Sequence, residues 1–228
     1  MGGNSLNLSS PSQADLEMLP FWYDLAGVVC EDPREEVEAY ARALSGGYLG
    51  VAAGVSRRKN LERLFELDPV RWYHARMAVR VLKLNDEPIG MLIMGSHARL
   101  WTLLDSRMAD DPSTPRDEMS PGFADFMVTA LSVAKIHLVA IHPDHQKSGH
   151  GSRLLKAALD IARVDDLIML YGQFGPHRPH LRNFYASKGF HVLQPGEALS
   201  IAMATGRAAD VIVGDPDDTF FVLQPRRR

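Results

Sequence analysis

Cysteine is nearly absent from the chain. Among 228 residues only Cys30 carries a thiol, which excludes an internal disulfide and any cysteine-based zinc cluster. Preceded by "GVV", Cys30 reads as a buried structural thiol rather than a nucleophile. Charge of one sign is missing as well. Lys and Arg number 25 against 28 Asp and Glu, a net charge of −3, too little to draw the chain to nucleic acid or to an anionic membrane. The run Arg226, Arg227, Arg228 is read as a solvated tail. No apolar stretch approaches the roughly 18 residues of a membrane span, and the start lacks the basic-then-apolar layout of a signal peptide. A cytoplasmic protein without a membrane partner is therefore expected. Gly2 follows the first Met, but Leu6 stands where a myristoylation signal needs Ser or Thr. Residues 1–10 are expected to be flexible.

What is present is ordinary globular composition: 46% hydrophobic and 23% charged residues, enough for one substantial core. "PSQADLEMLPFWYDLAG" and "DPREEVEAYARAL" show helical spacing behind Ser and Asp start signals, and Gly46-Gly47 ends the second helix. "LERLFEL" predicts a short helix. "MAVRVLKLNDEPIGMLIMGSHARLW" alternates on both sides of a turn at Asn85 to Pro88, the pattern of an antiparallel hairpin. Residues 103–133 break the rhythm with a Pro-, Asp- and Ser-rich stretch. Structureless excursions beyond about 12 to 15 residues are uncommon in compact domains and often functional, so this one is read as an inserted, substrate-side segment, with a mobile surface insertion as the alternative reading.

The second half alternates strand and helix. "AKIHLVAIHP" reads as a strand, and "GSRLLKAALDIARVDD" as a helix with one broad apolar face. "LIMLY" follows as a buried strand, then "PHLRNFYASKG" as a helix with Pro179 in its first turn and Gly189 at its end. "FHVL" and "TFFVLQP" predict strands, with "ALSIAM" as a further strand between them. The order of elements predicts a mixed α/β layer.

Between the strand and the long helix lies "HPDHQKSGHG", residues 142–151. A short glycine-bearing loop that runs from a strand straight into a helix aims free backbone N–H groups and the positive helix end at one point, which makes an anion site. Gly149 and Gly151 let backbone approach the anion, and Lys147 and Arg153 add positive charge. A nucleotide P-loop would need Gly-Lys-Ser/Thr, and the dinucleotide fingerprint a third glycine where Leu154 stands. The histidines 142, 145 and 150 sit in a turn stiffened by Pro143, short of a full ligand set, so no metal is expected.

At these residues a resemblance becomes specific. Gln146-Lys147-Ser148-Gly149-His150-Gly151 is similar to the Gln/Arg-x-x-Gly-x-Gly/Ala loop of the GNAT superfamily of acetyl-CoA-dependent N-acetyltransferases. "FYASKGF" resembles the family's downstream aromatic signature. The likeness covers roughly residues 77–194. It implies an α/β (α+β) fold with a mixed, mostly antiparallel central sheet flanked by helices. It also implies a single acetyltransferase domain over 1–228, with the cofactor core at 134–194 and acetyl-CoA as co-substrate. The loop would hold the CoA pyrophosphate through Gln146, Lys147, Ser148, Gly149, His150, Gly151 and Ser152. The Val139 N–H would polarise the thioester carbonyl, Ile141 would line the pantetheine arm, and Tyr185 would be the acid toward the sulfur. One departure is Arg178, where the family commonly has Asn.

Acetyl transfer to an amine needs a neutral nitrogen, while an alkylammonium loses its proton only near pH 10. The strand period puts Lys135, His137, Val139 and Ile141 on one face. His137 falls on one of two strand histidines of the arylalkylamine branch and Lys135 on the other, which makes His137 the candidate base. Trp72, Tyr73 and Phe126 are candidate walls for the acceptor, with Asp110, Asp111 or Glu118 to attract its amine. The expected acceptor is a small-molecule amine. Rival readings are a protein or peptide amine acetyltransferase and a CoA-binding module without catalysis. A homodimer stays open.

Overall fold

The computed structural model of the chain describes residues 5–97, 131–205 and 208–225. Its contacts fall into two compact units, Met1–Gly95 with Ile136–Asp165, and Ser96–Lys135 with Asp166–Arg228. A seven-stranded, mostly antiparallel sheet flanked by helices organises the chain.

In the first unit the helices begin where capping chemistry allows. Ser12 and Asp15 form a reciprocal capping box that opens α1, Gln13–Glu17. Burial alone would raise the Asp15 carboxyl, but bonds from Lys83 and Ser12 bring it below the usual carboxylate value. The predicted first helix is in fact two, because Pro20, near the start of α2 (Leu19–Ala26), lacks the N–H that a continuous helix would require. Asp32 accepts from the Arg34 and Glu35 N–H groups and opens α3, Pro33–Ser45. The chain turns away at Gly47, whose φ of +71° costs glycine little. The short helix α4 spans Arg57–Phe65 and α5 spans Trp72–Ala75.

The hairpin forms from β2, Ala78–Leu84, and β3, Glu87–Gly95. Asn85 and Asp86 supply the two positive φ angles of the turn, 52° and 69°. Leu6–Ser9, expected to be flexible, instead forms the edge strand β1, paired antiparallel from Leu6↔Leu84 to Ser9↔Val81. The outer edge of β2 would otherwise leave a row of N–H and C=O groups unpaired. Leu16, Leu19, Trp22 and Tyr40 pack with Val79, Val81, Met91 and Ile93 of the hairpin and with Leu138 and Ala140.

The last two belong to β4, Val133–Ile141, which is followed by α6, His150–Val164. Leu154, Leu155, Ala158, Ile161 and Ala162 form the buried face of α6. A side chain at Gly90 of β3 would meet the Ala140 carbonyl at 2.9 Å, so glycine there permits the close approach. At the far end of α6, Asp165 accepts from the Arg76 guanidinium at 3.0 Å, and both groups are buried. Burial pushes the Asp165 carboxyl up, opposed by Arg76 and by the Val55 and Gly54 amides.

In the second unit, Val133–Lys135 pair in parallel with Met169–Tyr171 of β5, Met169–Phe174. β5 pairs antiparallel with β9, Thr219–Leu223, which also carries β6, His191–Val192. The full strand order is β1-β2-β3-β4-β5-β9-β6. The helix α7, His180–Ala186, precedes β6. "ALSIAM", expected as one strand, is strand only at β7, Leu199–Ser200, paired with β8, Val211–Ile212. Ala202–Thr205 is helical. Met169, Tyr171, Leu193, Ile212 and Phe220 are part of this unit's core. Among the described residues no helix is long and apolar enough to cross a membrane. Most of the predicted inserted segment, residues 103–130, lies outside the described residues.

Candidate active site

The loop after β4 is fastened at its entry. The His142 N–H donates to the Ile89 carbonyl at 2.9 Å, and Pro143–His145 make one tight turn. Gln146, expected among the pyrophosphate-binding residues, holds the loop in shape. Its side-chain amide donates to the Ile141 carbonyl at 3.0 Å, bracing the loop against the strand end. Lys147 and Gly149 take positive φ, +61° and +82°. Gly149 is the N-cap of α6, and no side chain caps it. The first-turn N–H groups of His150, Gly151 and Ser152 are thus left for an outside acceptor, in the direction where the helix dipole favours an anion. A Cβ at Gly149 would meet nothing within 4 Å, so the space at this helix end is open.

The side chains of the loop lie mostly at its surface. Lys147 and Ser148 are exposed, and His150 is half-buried. Arg153 donates to the Leu6 carbonyl of β1 at 3.3 Å, so part of its donor set braces the edge strand. His142 faces Phe21 at 5.8 Å between ring centres and accepts from the Asp144 N–H at 3.4 Å. Among the described residues no group of three or more His, Cys, Asp or Glu is arranged to hold a metal.

Burial alternates along β4 as the strand period requires. Lys135, His137 and Val139 are half-buried on one face, while Ile136, Leu138 and Ala140 are buried on the other. Ile141 is buried at the strand end. In the second unit, the Lys135 ammonium donates to Gln173 Oε1 at 3.2 Å, and the Gln173 amide donates to Asp218 at 2.8 Å.

Tyr185 sits on α7 and is 5% exposed. Its ring lies flat against Phe221, 3.6 Å between centres and 11° from parallel. Phe174 stacks further off at 6.1 Å, and Phe184 and Phe190 meet it edge-on at 5.1 and 5.7 Å. Burial pushes the phenol well above its ordinary pKa, so it keeps its proton at neutral pH. The aromatic frame was not foreseen, because Phe221 lies on a distant strand and nothing in its local pattern marks it. A cleft of about 540 Å³, lined by Gly189, His191, Val222, Leu223, Gln224 and Pro225, opens elsewhere in this unit.

Of the acceptor-side candidates, Trp72 is a core residue, 1% exposed, with its indole N–H donating to the Leu67 carbonyl at 3.2 Å. Tyr73 is half-buried, and burial together with the Glu36 carboxylate pushes its phenol up to about 12. Glu36 also accepts from the Tyr23 hydroxyl at 3.0 Å. Cys30 is half-buried rather than fully enclosed, and burial with the nearby Glu36 raises its thiol. Phe126, Asp110, Asp111 and Glu118 lie outside the described residues.

The sequence from 76 to 192, more than half of the chain, matches the acetyltransferase (GNAT) domain. The chain belongs to this family and is an acyltransferase. Solved structures share the fold at low identity. Ard1 from Thermoplasma volcanium is 10% identical with a TM-score of 0.54, covering 97% of this chain and 99% of its own. yncA from Salmonella typhimurium, solved with its cofactor acetyl-CoA, is 17% identical with a TM-score of 0.53, covering 98% and 96%. The ribosomal-protein-S18-alanine N-acetyltransferase from Escherichia coli is 12% identical with a TM-score of 0.52, again covering 98% and 96%. No curated protein matches the sequence.

Proposed function

We propose that the protein is an N-acetyltransferase that moves the acetyl group of acetyl-CoA to a primary amine of a small-molecule acceptor, by direct attack while both substrates are bound. One observation carries the reading: an uncapped helix N-terminus with open space at Gly149, behind a loop of the family's pattern. The residues present fit the co-substrate. Backbone N–H groups over Gln146–Ser152 would donate to the pyrophosphate, Gly149 would let it approach, and Lys147 would add charge from solvent. The co-substrate supplies the acetyl thioester. Val139 would donate its N–H to the thioester carbonyl as charge develops there, and Ile141 would line the pantetheine arm. His137 would take the proton of the acceptor ammonium, and Tyr185 would give its proton to the departing sulfur.

The choice of a small amine rests on the length of the 103–133 excursion, which suits a small or medium acceptor better than an open peptide groove. The proposal includes a single acetyltransferase domain in a cytoplasmic setting. The test is acetyl-CoA turnover against a panel of amines and amino-terminal peptides, with the free thiol measured. Thiol release on small amines supports the reading, and release only on peptides moves the acceptor class. Tight CoA binding with no thiol release on any amine would refute it.

A further inference from the structure

The proposed acid has no hydrogen bond to set its direction among the described residues, so the packing of its ring must do so. The ring that touches it most closely is Phe221, at 3.6 Å and 11°. At that spacing the two rings are stacked in direct contact, so a shift of one is passed to the other. Phe190 closes the frame, edge-on to Phe221 at 5.3 Å.

Phe221 owes its own place to an absence. It stands directly across the β5–β9 ladder from Gly172, and a Cβ added at Gly172 would overlap the far edge of the Phe221 ring, at Cζ, Cε1 and Cε2. Gly172 does not need to be glycine for its backbone, because its φ lies outside the left-handed region. A glycine inside a buried strand weakens the strand, and here what it provides is room.

We propose that Gly172 and Phe221 are positioning residues for the reaction: the missing side chain at Gly172 admits the Phe221 ring, and that ring fixes where the Tyr185 hydroxyl stands. A methyl at Gly172 would displace the ring, and the ring would displace the phenol. Small misplacements of a reacting group cost rate rather than binding. The inference rests on the reading of Tyr185 as the acid.

The test is a kinetic cycle on the full chain with acetyl-CoA and the best amine from the panel. Tyr185→Phe is expected to lower kcat roughly 100-fold. Gly172→Ala is expected to lower kcat about tenfold with KM for acetyl-CoA unchanged. In the Tyr185→Phe background, Gly172→Ala should cost nothing more, because no hydroxyl remains to be misplaced. If Tyr185→Phe leaves kcat intact, the acid assignment falls and the inference falls with it. If Tyr185→Phe is severe but Gly172→Ala costs the same in both backgrounds, or raises KM instead, the positioning role alone is refuted. Should Gly172→Ala fail to fold, Phe221→Leu keeps the glycine, removes the stacked ring, and is read by the same cycle.

Discussion

In the loop at residues 146–152 the groups assigned to the co-substrate belong to the backbone. The side chains there are exposed, half-buried, or turned to bracing, as Gln146 and nearby Arg153 are. Around Tyr185 the work assigned to one hydroxyl is set by four phenylalanine rings and by the room one glycine leaves. Backbone recognition tolerates many side chains, so the loop is recognised by where it lies between strand and helix, with glycine at 149 and 151. Side-chain positioning tolerates few substitutions, yet its parts come from β5, α7, the connection before β6, and β9, and leave no local pattern. A site can therefore be plain in sequence where the backbone binds, and hidden where packing orients.

Four substitutions would break or sharpen that contrast, taken from the largest effect down. Asp165→Ala leaves the Arg76 guanidinium buried without its carboxylate, a loss of about 3–5 kcal/mol. Chemical denaturation should show it as a lower midpoint, and an unchanged midpoint would mean that the pair does not anchor the end of α6. Tyr185→Phe should lower kcat roughly 100-fold and leave acetyl-CoA affinity nearly unchanged, read by steady-state kinetics and calorimetry. Gly149→Asp meets no protein atom, but it forces an L residue into positive φ at about 1–2 kcal/mol and sets a carboxylate where the pyrophosphate is assigned. Acetyl-CoA binding should weaken by about tenfold or more. Lys147→Ala removes one exposed charge and should weaken binding only about two- to threefold, less still in high salt. A larger loss would move the recognition from backbone to side chain.

The parts of the fold written in local chemistry were legible. The Asn85-Asp86 turn, the Asp32 cap and the apolar face of α6 all follow from residues a few positions apart. The strand period also sorted Lys135, His137 and Val139 onto one face of β4. The remainder depended on contacts that sequence spacing does not encode. Leu6–Ser9 alternates as Leu, Asn, Leu, Ser, but over four residues within a start expected to be flexible the pattern does not mark a strand, and its pairing with β2 makes it one. Met18 ends a helix that its neighbours would have continued, because of Pro20. Trp72 looked like a binding aromatic and is core, whereas Tyr73 beside it stands near Glu36, a carboxylate that no motif marks.

The division of labour between loop and phenol is tested most directly by calorimetric titration of acetyl-CoA into Gly149→Asp and Tyr185→Phe alongside the unaltered protein. The account predicts that Gly149→Asp binds more weakly by about tenfold or more, while Tyr185→Phe binds as the unaltered protein does. Equal affinity for Gly149→Asp, or a matching loss for Tyr185→Phe, would contradict it.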